Sequence, residues 1–131
     1  MMYDCYVIAG EEFKNVVENG EVVGFQIGLR IPFYSSVWLS MVGETALTVD
    51  GEKFDAEQMT VTLRGKTYPK TKLEDEPYEK WEFGEVGILK VSKTGGLQPG
   101  EHTVDVRQQV LIGFVEGGLY GHDTKVLQLP G

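Results

Sequence analysis

Apolar and polar residues alternate with a period of two along much of the chain. From Val23 to Phe33 every odd position is a large apolar residue, while the even positions are glycine, glutamine, arginine or proline. Shorter stretches repeat the pattern at residues 37–41, 47–49, 59–63 and 104–114. Because the side chains of a strand point alternately to its two faces, this pattern predicts half-buried β-strands.

The residues between these stretches favour tight turns. Asn19-Gly20, Asp50-Gly51, Gly95-Gly96 and Pro99-Gly100 supply the backbone conformations that such turns require. The helical signal is limited to a single turn over residues 55–58, capped by Asp55. Together these features predict an all-β fold, an immunoglobulin-like antiparallel β-sandwich of about seven to nine strands. The length of 131 residues fits one domain over the whole chain.

Residues 97–104, LQPGEHTV, are similar to the corner that precedes a late strand in fibronectin-type and related sandwiches. His102 lies close to the position where such corners often carry a tyrosine. We therefore interpret His102 as a structural hydrogen-bonding residue rather than a catalytic one.

Composition narrows the classes of partner. The net charge of −8 argues against nucleic acid and anionic membranes, which are bound largely through clustered lysine and arginine. A single cysteine, Cys5, allows no intrachain disulfide. The sequence shows neither a signal peptide nor an apolar run of the length that a membrane span needs, so we expect a cytoplasmic protein.

Catalytic motifs are sparse. Two histidines twenty residues apart and one cysteine do not make a zinc site, and the nucleophile-elbow, dinucleotide and Walker motifs do not occur. Glu82 and Glu85 would point to opposite faces of a strand unless the backbone bulges at Gly84, which makes them a poor acid and base pair. We therefore expect no catalytic residue, metal or cofactor in this chain.

His122 and Asp123 are weak candidates. They place an imidazole beside a carboxylate in a predicted loop, an arrangement that can tune a general base. A turn capped by the aspartate explains the same residues, and we prefer that interpretation.

The aromatic residues carry a stronger signal. Trp38 falls on the strand face opposite Val37 and Leu39, so it should point outward if they point into the sandwich. Tyr78, Trp81 and Phe83 form a second aromatic group. Both groups either anchor a protein interface or close the open ends of the sandwich.

Six blocks of the sequence together resemble the small β subunit of bacterial C-glycoside deglycosidases. They lie at residues 22–42, 47–54, 63–69, 80–91, 97–106 and 123–129. The most distinctive parts are GFQIGLRIPFY and WEFGE.

The resemblance implies a β-sandwich that binds a larger α subunit, a TIM barrel with a divalent metal, usually manganese, and the catalytic base. The complex would cleave the carbon–carbon bond between a 3-keto sugar and a phenolic aglycone. The metal would polarise the ketone, so that the proton at the neighbouring C2 can be removed. The small subunit would hold the barrel's loops and exclude water.

The resemblance then implies that this chain contributes either a surface that binds the partner or a wall of a shared site, with the C-glycoside at or near it. The expected residues are Arg30, Pro32, Phe33, Tyr34 and Trp38, with Trp81 and Phe83 as further candidates. Pro32 lacks a backbone donor and would blunt an edge strand. Two alternatives remain open: a stand-alone carbohydrate-binding sandwich in which Trp38 and Tyr34 stack on a sugar ring, and a purely structural or adhesive domain.

Overall fold

Eleven β-strands make up most of the structure, a computed structural model that describes residues 6–33, 35–76, 78–112 and 116–130. The strands are β1 (Ile8–Glu18), β2 (Glu21–Leu29), β3 (Val37–Trp38), β4 (Val42–Val49), β5 (Glu52–Phe54), β6 (Met59–Leu63), β7 (Lys66–Pro69), β8 (Lys80–Trp81), β9 (Gly87–Ser92), β10 (Gly100–Val110) and β11 (Leu119–Leu129). Short 3-10 helices occur at Leu39–Met41, Ala56–Gln58 and Lys70–Asp75. None of the helices in the described ranges has the length and apolar character that crossing a bilayer demands.

Two antiparallel sheets hold nine of these strands. The five-stranded sheet has the order β1-β2-β9-β6-β7, and the four-stranded sheet has the order β11-β10-β4-β5. The predicted antiparallel β-sandwich is therefore confirmed, with eleven described strands where about seven to nine were predicted. The remaining two strands, β3 and β8, pair with each other in a separate ribbon, which the alternation of the sequence does not resolve.

The core lies between the two sheets, where the alternation predicts it. Phe25 of β2 and Phe54 of β5 meet edge to face, with ring centroids 5.2 Å apart. Leu89 of β9 and Val106 of β10 are also fully buried. Each such side chain stabilises the fold by about 1.5–3 kcal/mol relative to leaving it exposed.

Two of the predicted turns join hairpins. Asn19 and Gly20 have φ values of 52° and 80° between β1 and β2, and Asp50 and Gly51 have 51° and 85° between β4 and β5. Both turns place two consecutive residues in the left-handed region, as a tight hairpin requires.

The corner before β10 is built as the sequence predicts. Leu97 is buried, and its backbone N–H and carbonyl groups both bond to the Asn15 side chain, at 2.9 Å each. The ring nitrogens of His102 lie 2.6 Å from the Gln98 carbonyl oxygen and 2.5 Å from Asp50 Oδ2. The structural role predicted for His102 is confirmed.

The stretch predicted as a strand over residues 37–41 is mostly a turn. Strand β3 ends at Trp38, and the next three residues form a 3-10 helix. The Leu39 N–H donates to the Glu79 carbonyl oxygen at 2.8 Å, which fixes this helix against the segment that leads into β8. Alternation in so short a stretch does not distinguish a strand from a tight turn.

Candidate partner-binding surface

The ribbon formed by β3 and β8 has one face in the core and one in solvent. Val37 lies opposite Trp81, and Trp38 lies opposite Lys80. Val37 and Trp81 are 3% and 2% exposed, whereas Trp38 is 39% exposed. The predicted outward orientation of Trp38 is confirmed.

Polar groups order the outer face of the ribbon. Lys80 Nζ lies 4.6 Å from the centroid of the Trp38 ring, a cation–π contact. One step along the ribbon, Ser36 Oγ donates to Glu82 Oε2 at 2.6 Å. Trp38 therefore has a specific neighbour on the outer face of the ribbon.

The turn after the ribbon is held by Glu85. Its backbone carbonyl accepts the Trp81 indole N–H at 2.9 Å, and its carboxylate accepts the Glu82 N–H, also at 2.9 Å. Arg64, from the hairpin between β6 and β7, bonds to the Glu85 carboxylate and donates to the Lys80 carbonyl oxygen at 2.6 Å. Glu82 and Glu85 thus shape a turn, consistent with their predicted unsuitability as an acid and base pair.

This turn presents Phe83 to a second aromatic ring. Phe83 is 54% exposed and stacks on Tyr6, with ring centroids 6.2 Å apart. The Arg30 guanidinium carbon lies 5.3 Å from the Tyr6 ring centroid on the same surface, and Arg30 Nη1 donates to the Tyr6 carbonyl oxygen at 3.1 Å. Residues distant in sequence therefore form one ordered group.

We call Tyr6, Arg30, Trp38, Lys80 and Phe83 the aromatic strip. The Ser36–Glu82 pair lies between its Trp38–Lys80 end and the turn that carries Phe83. Two of the seven large apolar side chains that are exposed among the described residues, Trp38 and Phe83, belong to the strip, and two more, Tyr78 and Val86, lie close to it in sequence. Exposed apolar groups concentrated in this way are typical of protein-binding surfaces.

Three predicted surface residues are buried instead. Phe33 is 9% and Trp81 is 2% exposed, and Trp81 fills the inner face of the ribbon beneath the surface. Pro32 packs against Gly121, where an added Cβ would lie 2.3 Å from Pro32 Cβ. Pro32 also lies beyond the end of β2, an inner strand, so its predicted role in blunting an edge strand is wrong. Tyr34 lies outside the described residues.

His122 and Asp123 lie on a strand rather than in a loop. As neighbours on β11 they face opposite sides: His122 is exposed, and Asp123 is 2% exposed. The partner of His122 is Asp105 of β10, whose Oδ1 lies 2.6 Å from Nε2. Partial burial raises the pKa of Asp105, but hydrogen bonds from Thr124 and His122 outweigh it, so this pKa lies below its ordinary value. Both interpretations of this pair, the preferred turn capped by Asp123 and the general base tuned by it, are therefore wrong.

Asp123 joins the two sheets. Its Oδ2 accepts the Ile8 N–H of β1 at 2.9 Å and the Lys125 ammonium at 2.6 Å. Its Oδ1 is buried and has no hydrogen-bond partner among the residues that the structure describes. Because Ile8 follows Tyr6 closely, this contact fixes the segment that carries Tyr6 into the aromatic strip.

The residues that sequence reasoning missed are Tyr6, Lys80 and Arg64. Lys80 directly precedes Trp81, and a cation beside an aromatic cluster is a usable signal. Tyr6 and Arg64 join the surface through contacts across the fold, for which the sequence offers no local signal. In the described ranges, no three His, Cys, Asp or Glu side chains are grouped so that they could hold a metal ion.

Comparison with known proteins gives consistent matches. The profile of the C-glycoside deglycosidase beta subunit family matches residues 3–114. A C-glycoside deglycosidase beta subunit from Eubacterium cellulosolvens is 35% identical over 97 residues, which cover 73% of this chain and 66% of that relative, just under two thirds of its length.

Two proteins of the same description from Arthrobacter globiformis also match. One is 37% identical over 59 residues, covering 45% of this chain and 42% of the relative. The other is 26% identical over 123 residues, which cover 87% of this chain and 94% of that relative. Because the family profile covers most of the chain, the resemblance noted in the sequence is confirmed. The chain belongs to the C-glycoside deglycosidase beta subunit family.

Proposed function

We propose that this chain is the small, noncatalytic subunit of a C-glycoside deglycosidase, and that the aromatic strip docks it to a larger TIM-barrel subunit. The partner carries the divalent metal, which we expect to be manganese, and the catalytic base. Together they cleave the carbon–carbon bond between a 3-keto sugar and a phenolic aglycone. The membership of the chain in the beta subunit family supports this proposal.

The observation that carries the docking role is the exposure of two ordered rings. Trp38 and Phe83 are 39% and 54% exposed although each is held by a specific neighbour, Lys80 or Tyr6. Large rings at the centre of an interface contribute much of its binding free energy. Rings already held in one conformation lose less entropy on binding, which favours association.

In this proposal the buried residues beneath the strip act as its foundation. Trp81 fills the inner face of the ribbon, and Arg64 with Glu85 fixes the turn that presents Phe83. A rigid support of this kind positions the loops of a partner and excludes water from a neighbouring site. Positioning and water exclusion are recognised contributions to catalysis.

The metal belongs to the partner in this proposal, and all bond-breaking steps are assigned there. The described residues of this chain bring no ligand set of three or more His, Cys, Asp or Glu side chains together. The proposed contribution of this chain is therefore the shape and rigidity of the docking surface.

Alanine substitutions test the proposal. The chain and a candidate barrel subunit would be produced, and their affinity measured by calorimetry for wild type, Trp38→Ala and Phe83→Ala. We expect each substitution to weaken association by about 2 kcal/mol, roughly thirtyfold, because each removes an anchoring ring. The matched control is Val126→Ala, at an apolar side chain of β11 that is 62% exposed and outside the strip.

Unchanged affinity in both ring variants would place the interface elsewhere on the molecule. Direct binding of a glycoside by the isolated chain, with no association with the barrel subunit, would instead support the carbohydrate-binding alternative. Melting temperatures of the variants would separate lost affinity from lost folding.

A further inference from the structure

Lys70 is a buried charged residue that the proposed function does not use. It begins the 3-10 helix Lys70–Asp75, directly after β7 at the edge of the five-stranded sheet. Its side chain reaches the other sheet, where Nζ donates to the Gly43 carbonyl oxygen of β4 at 2.7 Å. The residue is only 8% exposed. Lysine is almost never buried to this extent unless its charge is paired.

The Lys70 ammonium has hydrogen-bonding capacity to spare. It has three N–H donors, and the Gly43 carbonyl is the one acceptor that the described residues give it. In the same ranges no carboxylate lies within ion-pair distance of Lys70. Burial lowers the pKa of Lys70, and the nearby charge of Glu44 offsets only part of this effect. An added acceptor would relieve the cost of burying this ammonium.

A cavity of about 200 Å³ lies beside Lys70. Its walls are Lys70, residues 44–46 of β4 and residues 53–56, which end β5 and begin the following 3-10 helix. The pairing of β4 with β5 reaches only Leu47 and Phe54, so residues 44–46 are left without a β5 partner and open this space. The volume accommodates a small organic molecule as well as water.

We propose that this cavity binds a small organic carboxylate whose oxygens accept the remaining N–H groups of Lys70. This site is separate from the aromatic strip and does not depend on the docking proposal. A charge-assisted hydrogen bond from an ammonium to a carboxylate is roughly twice as strong as one between neutral groups. The ligand would supply the charge partner that the fold does not provide.

The walls define the class of carboxylate further. Phe54 is buried and gives one apolar wall, while Lys53 places a second cation at the rim. Glu44 and Asp55, also at the rim, repel a dianion about twice as strongly as a monoanion and can accept hydrogen bonds from hydroxyl groups. The site therefore fits a monoanionic hydroxy acid, with its carboxylate inward and its hydroxyl groups outward.

Nuclear magnetic resonance of the full chain tests the site directly. Side-chain signals of lysine would be followed during titration with sodium lactate and, separately, with lactamide, its neutral counterpart of similar size. We expect a saturable shift at Lys70 with lactate and none with lactamide. We also expect lactate to raise the pKa of Lys70, because an anion beside an ammonium stabilises the charged form.

Two variants locate the binding. Lys70→Met should weaken lactate binding about tenfold or more, since it removes a charge-assisted bond. Lys72→Met, at an exposed position two residues on, should leave the affinity unchanged. Equal affinity for wild type and Lys70→Met would overturn the proposal. So would a lactate titration of the wild-type chain that produces no saturable shift at Lys70, a result that needs no variant to fold.

Discussion

At the scale of single residues, His102 shows how a local pairing sets the response to pH. Both neighbours of its ring nitrogens, the Gln98 carbonyl and the Asp50 carboxylate, are acceptors, so the doubly protonated ring satisfies both. The Gln98 contact raises the pKa of His102, burial lowers it, and Asp50 raises it again, with a net shift upward. Bonds from Thr103 and His102 lower the pKa of Asp50 despite the opposing effect of burial.

We predict from these shifts that stability falls as the pH rises past neutrality. The contribution of His102 to the free energy of unfolding is fully present below its ordinary pKa of 6.5. It is lost as the pH rises through the raised pKa that His102 has in the folded state. The contribution of Asp50 to the free energy of unfolding is fully present above its ordinary pKa of 3.8. It is lost as the pH falls through the lowered pKa that Asp50 has in the folded state. Urea unfolding of wild type and His102→Gln, at pH values between 3.8 and 6.5 and at higher pH, measures this loss of stability.

The His102→Gln variant should lose the decline in stability above neutral pH. His122→Gln, at the exposed histidine of β11, is the control and should keep it. A wild-type stability that stays flat from acidic to alkaline pH would contradict the assigned role of the His102–Asp50 pair.

The residue scale also shows how far the surface could be predicted. Alternation gives the outward direction of Trp38, because that property depends only on neighbours in sequence. It does not show that Trp81 faces inward, since a two-residue strand can present either face to the core. The meeting of Tyr6 with Phe83 depends on the whole fold.

At the scale of elements, the residue types at a turn determine whether a hairpin can be predicted from the sequence. Asn19-Gly20 and Asp50-Gly51 are recognisable because asparagine, aspartate and glycine tolerate positive φ. The third hairpin, between β6 and β7, turns through Arg64 and Gly65 with φ values of 50° and 82°. Arginine is not a turn residue by propensity, so its position reflects the bonds its side chain makes to the ribbon turn rather than local preference.

Replacing Arg64 tests that explanation. Arg64→Asn keeps a residue that tolerates positive φ but removes the bonds to Glu85 and to the Lys80 carbonyl. We expect a loss of about 1 kcal/mol in the free energy of unfolding, because the side chain is partly exposed and screened by solvent. Amide hydrogen exchange at Glu82 should accelerate, since its N–H depends on a correctly placed Glu85.

Lys66→Ala provides a control in the same hairpin. The Lys66–Glu79 pair lies at 3.2 Å but Lys66 is 68% exposed, so its removal should change stability little. Equal effects of the two substitutions would mean that Arg64 acts only as a surface charge.

At the scale of the whole molecule, the two tryptophans lie in opposite environments. Trp81 is fully buried and its indole N–H is bonded to Glu85, whereas Trp38 is 39% exposed in the aromatic strip. The chain contains only these two tryptophans. Fluorescence therefore reports the core and the proposed docking surface separately.

We predict that acrylamide quenches about half of the tryptophan emission in the isolated chain, the part from Trp38, and spares Trp81. Binding of the barrel subunit should protect the quenchable part, because a docked partner covers Trp38. Trp38→Phe should abolish the quenchable component before any partner is added, as a control. A Trp38 signal that stays fully quenchable in a purified complex would exclude the strip from the interface.

The two cations of the aromatic strip have a consequence for the direction of docking. Hydrophobic attraction has no preferred direction, so rings alone would let a partner slide or turn over on this surface. Lys80 at one end and Arg30 at the other place a fixed positive charge on each flank. A groove on the partner whose carboxylates are spaced to pair with both cations would bind the strip in a single register. The charges would then determine the orientation of docking, and the rings would contribute most of the affinity.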